Sequence, residues 1–250
     1  MKHILLPTDF SKNANNAINY ALELFKNETC KFFVFNTYYH PGSNKDNFLS
    51  PEPTPEKLNK IKDNATQNMQ ALKAKIDTEN EQHSFEFVTR LGPFSKSIKE
   101  IVQKEDINLV IMGTRGKTNN SEIILGSNSI NTMEVIRKCP VFTIPGDVVF
   151  RNPNEIVFPT SYKTHFKEKE MATLIEIAKI TNSPIRVLYI KTDKKLTQVQ
   201  EDKKALLNTI LKDVTVTHHE LYHKNMQDGV RLFWQSRESD MIAFINKEHS

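Results

Sequence analysis

At 250 residues, with 38% apolar and 26% charged side chains, the chain has material for one large globular domain or two ordinary ones, and its composition excludes a disordered protein. Its net charge of +4 is dispersed, Lys194-Lys195 and Lys203-Lys204 lying among Asp193, Glu201 and Asp202, so the clustered patch of a nucleic-acid binder is missing. No apolar run reaches the ~18–20 residues that cross a bilayer, Pro7 interrupts the N-terminus too early for a secretory leader, and Cys30 and Cys139 read as buried free thiols of a reducing cytoplasm.

Strand-like and helix-like segments then alternate. Ile4–Leu6 is a short apolar strand, and Ser11 caps a helix whose stripe is Ala14, Ala17, Ile18, Ala21, Leu22 and Phe25. Phe32–Phe35 is the second strand. The stiff loop Pro51–Pro55 precedes a helix marked by Leu58, Ile61, Ala65, Met69 and Leu72. Phe85–Val88, a helix through Ile98, Ile101 and Val102, and Leu109–Met112 continue the series. A helix from about Ser127, carrying Ile130, Met133, Val135 and Ile136, stops before Pro140, and Val141–Ile144 is the fifth strand. Short, continuously apolar strands separated by helices predict an α/β fold with a parallel sheet covered on both faces.

The pattern restarts past Pro145–Pro153. "HILLPTDF" at 3–10 is echoed by "EIVFPTSY" at 155–162, an offset of about 152 residues. A helix over 165–181, a strand at Ile185–Ile190, a helix over 196–212, and runs at Val214–Thr217 and Met241–Ile245 follow. Two tandem Rossmann-like domains are therefore expected, at 1–146 and 154–250. The second is expected to lack the glycine loop and fifth strand, because the sequence ends at Ser250.

Three of the seven glycines, Gly113, Gly116 and Gly126, fall just after the fourth strand. Gly116-Lys117-Thr118 looks like the end of a P-loop, but that motif needs a glycine five residues earlier, and position 111 is Ile. Ligands of open parallel sheets collect at the carboxyl ends of strands where the strand order reverses, and a helix N-terminus there suits a phosphate. Gly113, Gly116 and Gly126 would let the backbone approach an anion and take φ > 0. The hydroxyls of Ser127 and Ser129 would be additional donors, and Arg115 and Lys117 would supply charge. At the end of the first strand, in Pro7-Thr8-Asp9-Phe10-Ser11, Asp9 can either cap the next helix or accept hydrogen bonds from a ribose.

Together, G113-x2-G116-x9-G126-S127 and the opening "ILLPTDFS" resemble the universal stress protein family, over the whole of 1–146 and the first four strands of the second repeat. The resemblance implies a sheet ordered 3-2-1-4-5 and a site for ATP or ADP, with or without magnesium. By position it puts Asp9 at the ribose with Pro7 and Thr8 beside it, Thr37 at adenine, and Met112 and Gly113 along the pocket. Gly116, Gly126, Ser127, Asn128 and Ser129 would hold the phosphates; Arg115 replaces a different polar residue of some relatives. In the second repeat Ser161 stands for the Asp and 245–250 for the glycine loop, which implies one nucleotide per chain. The resemblance also implies that fifth strands meet, so Val141–Ile144 is expected to pair with a second chain about a two-fold axis.

His218, His219 and His223 with Glu220 form the densest imidazole group and read as a solvent-facing strand end, with no metal assigned. Three functions remain: a nucleotide-binding regulatory protein, a slow ATPase or adenylating enzyme, and an interaction protein with an empty site. The loop after strand 1 reads "PTDFSKN", unlike the S-G-G-x-D-S of adenylating relatives, and no general base for water is identifiable, so no catalytic residue is assigned. A response-regulator receiver is disfavoured because only Asp9 stands where paired acids are needed.

Overall fold

The computed structural model describes residues 1–38, 54–76, 80–114, 126–191 and 195–245. They form two compact units, Met1–Phe150 and Arg151–Ser250. Each is an α/β layer structure around its own parallel sheet.

The first unit runs β1 (Lys2–Pro7), α1 (Lys12–Leu24), β2 (Cys30–Tyr38), α2 (Pro55–Lys73), β3 (His83–Leu91), α3 (Phe94–Lys104), β4 (Leu109–Gly113), α4 (Ser127–Val135) and β5 (Val141–Ile144). The sheet order is β3-β2-β1-β4-β5, the order expected from the resemblance. Every strand pair is parallel, and the direction of winding reverses between β1 and β4, where Ile4 pairs with Leu109 and Leu5 with Val110. Leu5, Phe33, Phe35 and Val110 project to one face and are buried with Ile98, Ile101, Val102, Ile107 and Ile136. That apolar layer fixes the register, since a slip of one residue would turn each of these side chains to the opposite face.

The helix starts follow local chemistry. Ser11 accepts from the Ala14 amide and Thr54 from the Lys57 amide, each satisfying one orphan donor, and Pro55 occupies the tolerant first turn of α2. Cys30 and Cys139 are free thiols. Cys30 is buried, but Cys139 is only half-buried, and desolvation pushes its thiol up to about 12.

The second unit runs β6 (Ile156–Pro159), α5 (Glu168–Thr181), β7 (Ile185–Lys191), α6 (Gln198–Ile210), β8 (Val216–Tyr222), α7 (Met226–Arg237) and β9 (Met241–Ile242), in the order β8-β7-β6-β9. Two details differ from the sequence expectation. Of the run at Val214–Thr217 only Val216 and Thr217 are strand, and they open a longer edge strand on which His218, Glu220 and Tyr222 are exposed while His219 and Leu221 are half-buried. Helix α7, which the sequence expectation did not include, carries Val230, Phe233 and Trp234 half-buried on one face, Phe233 lying 5.2 Å from the His219 ring; Gly229 is its one buried residue, and a Cβ there would stand 2.9 Å from Ile190 Cδ1.

A polar clasp also anchors α7. Glu155, 5% exposed just before β6, accepts from Arg186 Nε at 2.9 Å, from Arg237 at 2.8 and 2.7 Å, and from Ser239 Oγ at 2.6 Å. Arg186 in turn donates to Thr217 Oγ1 at 2.8 Å. A buried carboxylate is expensive unless its lone pairs are filled, and here four donors fill them. Those partners, Arg237 foremost, hold the Glu155 carboxyl down at about 2.

Candidate functional site

The carboxyl end of β1 is a tight hydroxyl-locked turn. The Thr8 amide donates to the Phe35 carbonyl at 2.8 Å, extending the β1–β2 ladder, while Thr8 Oγ1 accepts from the Phe10 amide at 2.9 Å. Phe10 takes φ 65°, a left-handed conformation uncommon for a side-chain-bearing residue. Asp9 is exposed, and its Oδ1 accepts from the Ser11 amide at 3.0 Å. Capping of α1 falls to Ser11, not Asp9. The Asp9 carboxylate is left displayed at the strand end with one oxygen engaged locally. Pro7 and Thr8 are buried beneath it.

On the other side of the reversal, β4 ends at Met112, which is buried, and Gly113. The reason for glycine at 113 differs from the sequence expectation. Its φ is not positive, and neither is that of Gly126, which sits at φ −67° and ψ 154°. A Cβ on Gly113 would lie 2.7 Å from the Asn13 carbonyl oxygen, so glycine there lets α1 pack directly on β4. Arg115 and Gly116 lie outside the described residues, as does 246–250.

Gly126 starts α4 without a side-chain cap, as Pro93 starts α3 and Lys167 starts α5, whereas α1, α2, α6 and α7 are capped by Ser11, Thr54, Thr197 and Asn225. Ser127 and Asn128 are exposed in this first turn. Backbone N–H groups of an uncapped helix start, reinforced by the helix dipole, are suited to an anion. Ser129 behaves differently from the expectation. It is 2% exposed and its Oγ donates to the Gly113 carbonyl at 3.0 Å, so the hydroxyl braces α4 against β4 instead of standing free as a phosphate donor.

Thr37 is half-buried on β2, two residues past the Phe35 that pairs with Pro7. Its neighbour Asn36, which the sequence reading overlooks, is 6% exposed and donates from Nδ2 to the Thr8 carbonyl at 2.8 Å. Asn36 Oδ1 is buried with no hydrogen-bond partner among the described residues. The available signal was a lone amide inside the apolar run Phe32-Phe33-Val34-Phe35-Asn36.

Residues 1–145 match the family model described as the universal stress protein family. The chain belongs to that family. A universal stress protein of Methanocaldococcus jannaschii is 29% identical over 159 residues, covering 57% of this chain and 94% of the relative. A solved universal stress protein from Archaeoglobus fulgidus superposes over 97% of this chain and 86% of its own with a TM-score of 0.70 at 17% identity. A Pseudomonas aeruginosa protein classed with the same family covers 98% of this chain and 82% of its own, with a TM-score of 0.55 at 12% identity. Both structural likenesses extend through nearly the whole chain, so the family fold is not confined to the first unit.

In the second unit the end of β6 repeats the β1 turn. The Tyr162 amide donates to Thr160 Oγ1 at 3.0 Å, and Tyr162 takes φ 54°. Ser161 stands where the first unit has Asp9, and its carbonyl accepts from Gln200 Nε2 at 2.8 Å. The Tyr162 ring is buried, with its hydroxyl 3.1 Å from His218 Nδ1, and His218 Nε2 is 2.6 Å from Asn208 Oδ1. Desolvation raises the Tyr162 phenol and lowers the His218 imidazole. His218 and Glu220 share one face of β8 and His219 the other. Among the described residues no group of three or more His, Cys, Asp or Glu could hold a metal ion, and no helix is long and apolar enough to cross a membrane.

Proposed function

We propose that the first unit binds one adenine nucleotide, ATP or ADP, and that the chain is a regulatory stress-response protein whose nucleotide state alters its associations. The observation carrying this reading is the pairing of the uncapped α4 start at Gly126 with the exposed Asp9 carboxylate, on the strands flanking the reversal of the sheet. In this reading Asp9 engages the ribose hydroxyls, Thr37 lies along adenine, Met112 and Gly113 floor the pocket, and the amides of Ser127, Asn128 and Ser129 meet the phosphates, with Arg115 and Gly116 completing the loop. Magnesium would neutralise phosphate charge if it accompanies ATP.

The second unit is assigned no nucleotide. Ser161 in place of a carboxylate supports that assignment, as does a sheet whose described strands end with β9. Two free thiols support a reducing, cytoplasmic setting. The test is to acid-denature freshly purified protein and identify the released small molecules by mass spectrometry. An adenine nucleotide is expected from the unmutated chain and none from Gly126→Val; absence from both would argue for an interaction protein instead.

A further inference from the structure

Asn13, in the first turn of α1, touches two separate pieces of the first unit, the end of β4 at Gly113 and Thr114 and the segment after β5 at Gly146. Its Nδ2 donates to the Thr114 carbonyl at 2.9 Å. Its backbone oxygen would stand 2.7 Å from a Cβ on Gly113, and its Oδ1 and Cγ only 2.1 and 2.6 Å from a Cβ on Gly146. Thr114 is 4% exposed and is the residue immediately before Arg115, and its amide is already tied to the Ile144 carbonyl at 2.9 Å. Neither Gly113 nor Gly146 has a positive φ, so neither is glycine for the sake of its backbone conformation. Both are glycine where Asn13 needs room.

We infer that Asn13 is a positioning residue for the proposed phosphate site, holding the end of β4 at Gly113 and Thr114 in place, and that Gly146, outside the glycine motif, serves the same function by leaving space for the Asn13 carboxamide. The inference rests on the nucleotide reading above. A methyl group at 146 cannot coexist with Oδ1 at 2.1 Å, so the carboxamide must move, and the move is expected to break its bond to the Thr114 carbonyl. The end of β4 then loses its link to α1. The phosphate end of a ligand feels that loss. The adenine and ribose end, held through Thr37 and Asp9, does not.

The experiment compares ATP and adenosine affinities by titration calorimetry for the unmutated chain, Asn13→Ala, Gly146→Ala and the double variant. Each single change is expected to weaken ATP about tenfold, the worth of one hydrogen bond, with adenosine affinity unmoved. The double variant is expected to be no weaker than either single one, because both remove the same contact. Unchanged ATP affinity, equal losses for ATP and adenosine, or additive losses of about a hundredfold would each overturn the inference. If the unmutated chain binds neither ligand, the nucleotide reading fails separately, and thermal unfolding still judges the clamp. Gly146→Ala should then lower Tm in the unmutated chain and much less in the Asn13→Ala background; equal losses in both backgrounds would contradict it.

Discussion

Arg237, the last residue of α7, grips Glu155 with two nitrogens, Nε to Oε1 at 2.8 Å and Nη2 to Oε2 at 2.7 Å. This bidentate pair, completed by Arg186 and Ser239, ties the end of α7 to the start of β6. Bidentate guanidinium–carboxylate pairs combine geometric specificity with charge-assisted strength. The clasp adds to the half-buried packing of Val230, Phe233 and Trp234 in holding α7 on the sheet.

Removing the carboxylate frees two guanidinium groups, of which Arg237 is exposed to water and Arg186 keeps Thr217, so solvent offsets part of the loss. Glu155→Ala is therefore expected to cost about 1–3 kcal/mol, read from the urea midpoint of the second unit's transition. A loss below about 1 kcal/mol would show that the clasp is ornamental to stability.

The same clasp sets a pH dependence. The folded carboxyl titrates at about 2, below the ~4.3 of an unfolded glutamate, so its contribution is complete above roughly pH 5 and fades as pH falls toward 2. Urea midpoints of the unmutated chain should fall across that window more steeply than those of Glu155→Gln, whose site cannot ionise. Parallel curves would rule the linkage out.

Gly113→Ala tests the steric account of the first site glycine. The added Cβ would meet backbone atoms of Asn13, which cannot rotate away, so α1 must shift at a cost of about 1–3 kcal/mol. Thermal unfolding should show the loss with or without nucleotide. An unchanged Tm would return Gly113 to a purely ligand-facing role.

Much of this was legible in the sequence because it follows from apolar periodicity. The five strands of the first unit, the Ser11 cap and the start of α4 at Ser127 stand where the pattern puts them. The duplicated turn at Phe10 and Tyr162 is foreshadowed by "PTDF" and "PTSY". What escaped is carried by single polar contacts. Asn13 and Asn36 bind distant carbonyls, Ser129 turns inward, and the end of α7 is clasped by Glu155. Such contacts join residues far apart in the chain and leave no local period to detect. Gly113 shows a related ambiguity: a glycine in sequence signals close approach, but not whether a ligand or a helix makes it.

Association is the next expectation. β5 is an edge of the first sheet, and the bonds from Val110 N to Pro140 O and from Thr114 N to Ile144 O leave the Thr143 amide facing outward. We propose that Val141–Ile144 pairs with the same strand of a second chain. Thr143→Pro removes that outward donor and should weaken the dimer in sedimentation velocity while nucleotide binding persists. A monomer at micromolar concentration for the unmutated chain would exclude this pairing.

One adenine-nucleotide site per chain is proposed at the carboxyl ends of β1 and β4. Titration calorimetry of ATP into the nucleotide-stripped chain decides it. Saturable binding of one ATP per chain is expected, abolished when Gly126→Val puts a side chain across the α4 start. Two ATP per chain, no saturable heat, or undiminished affinity in Gly126→Val would contradict it.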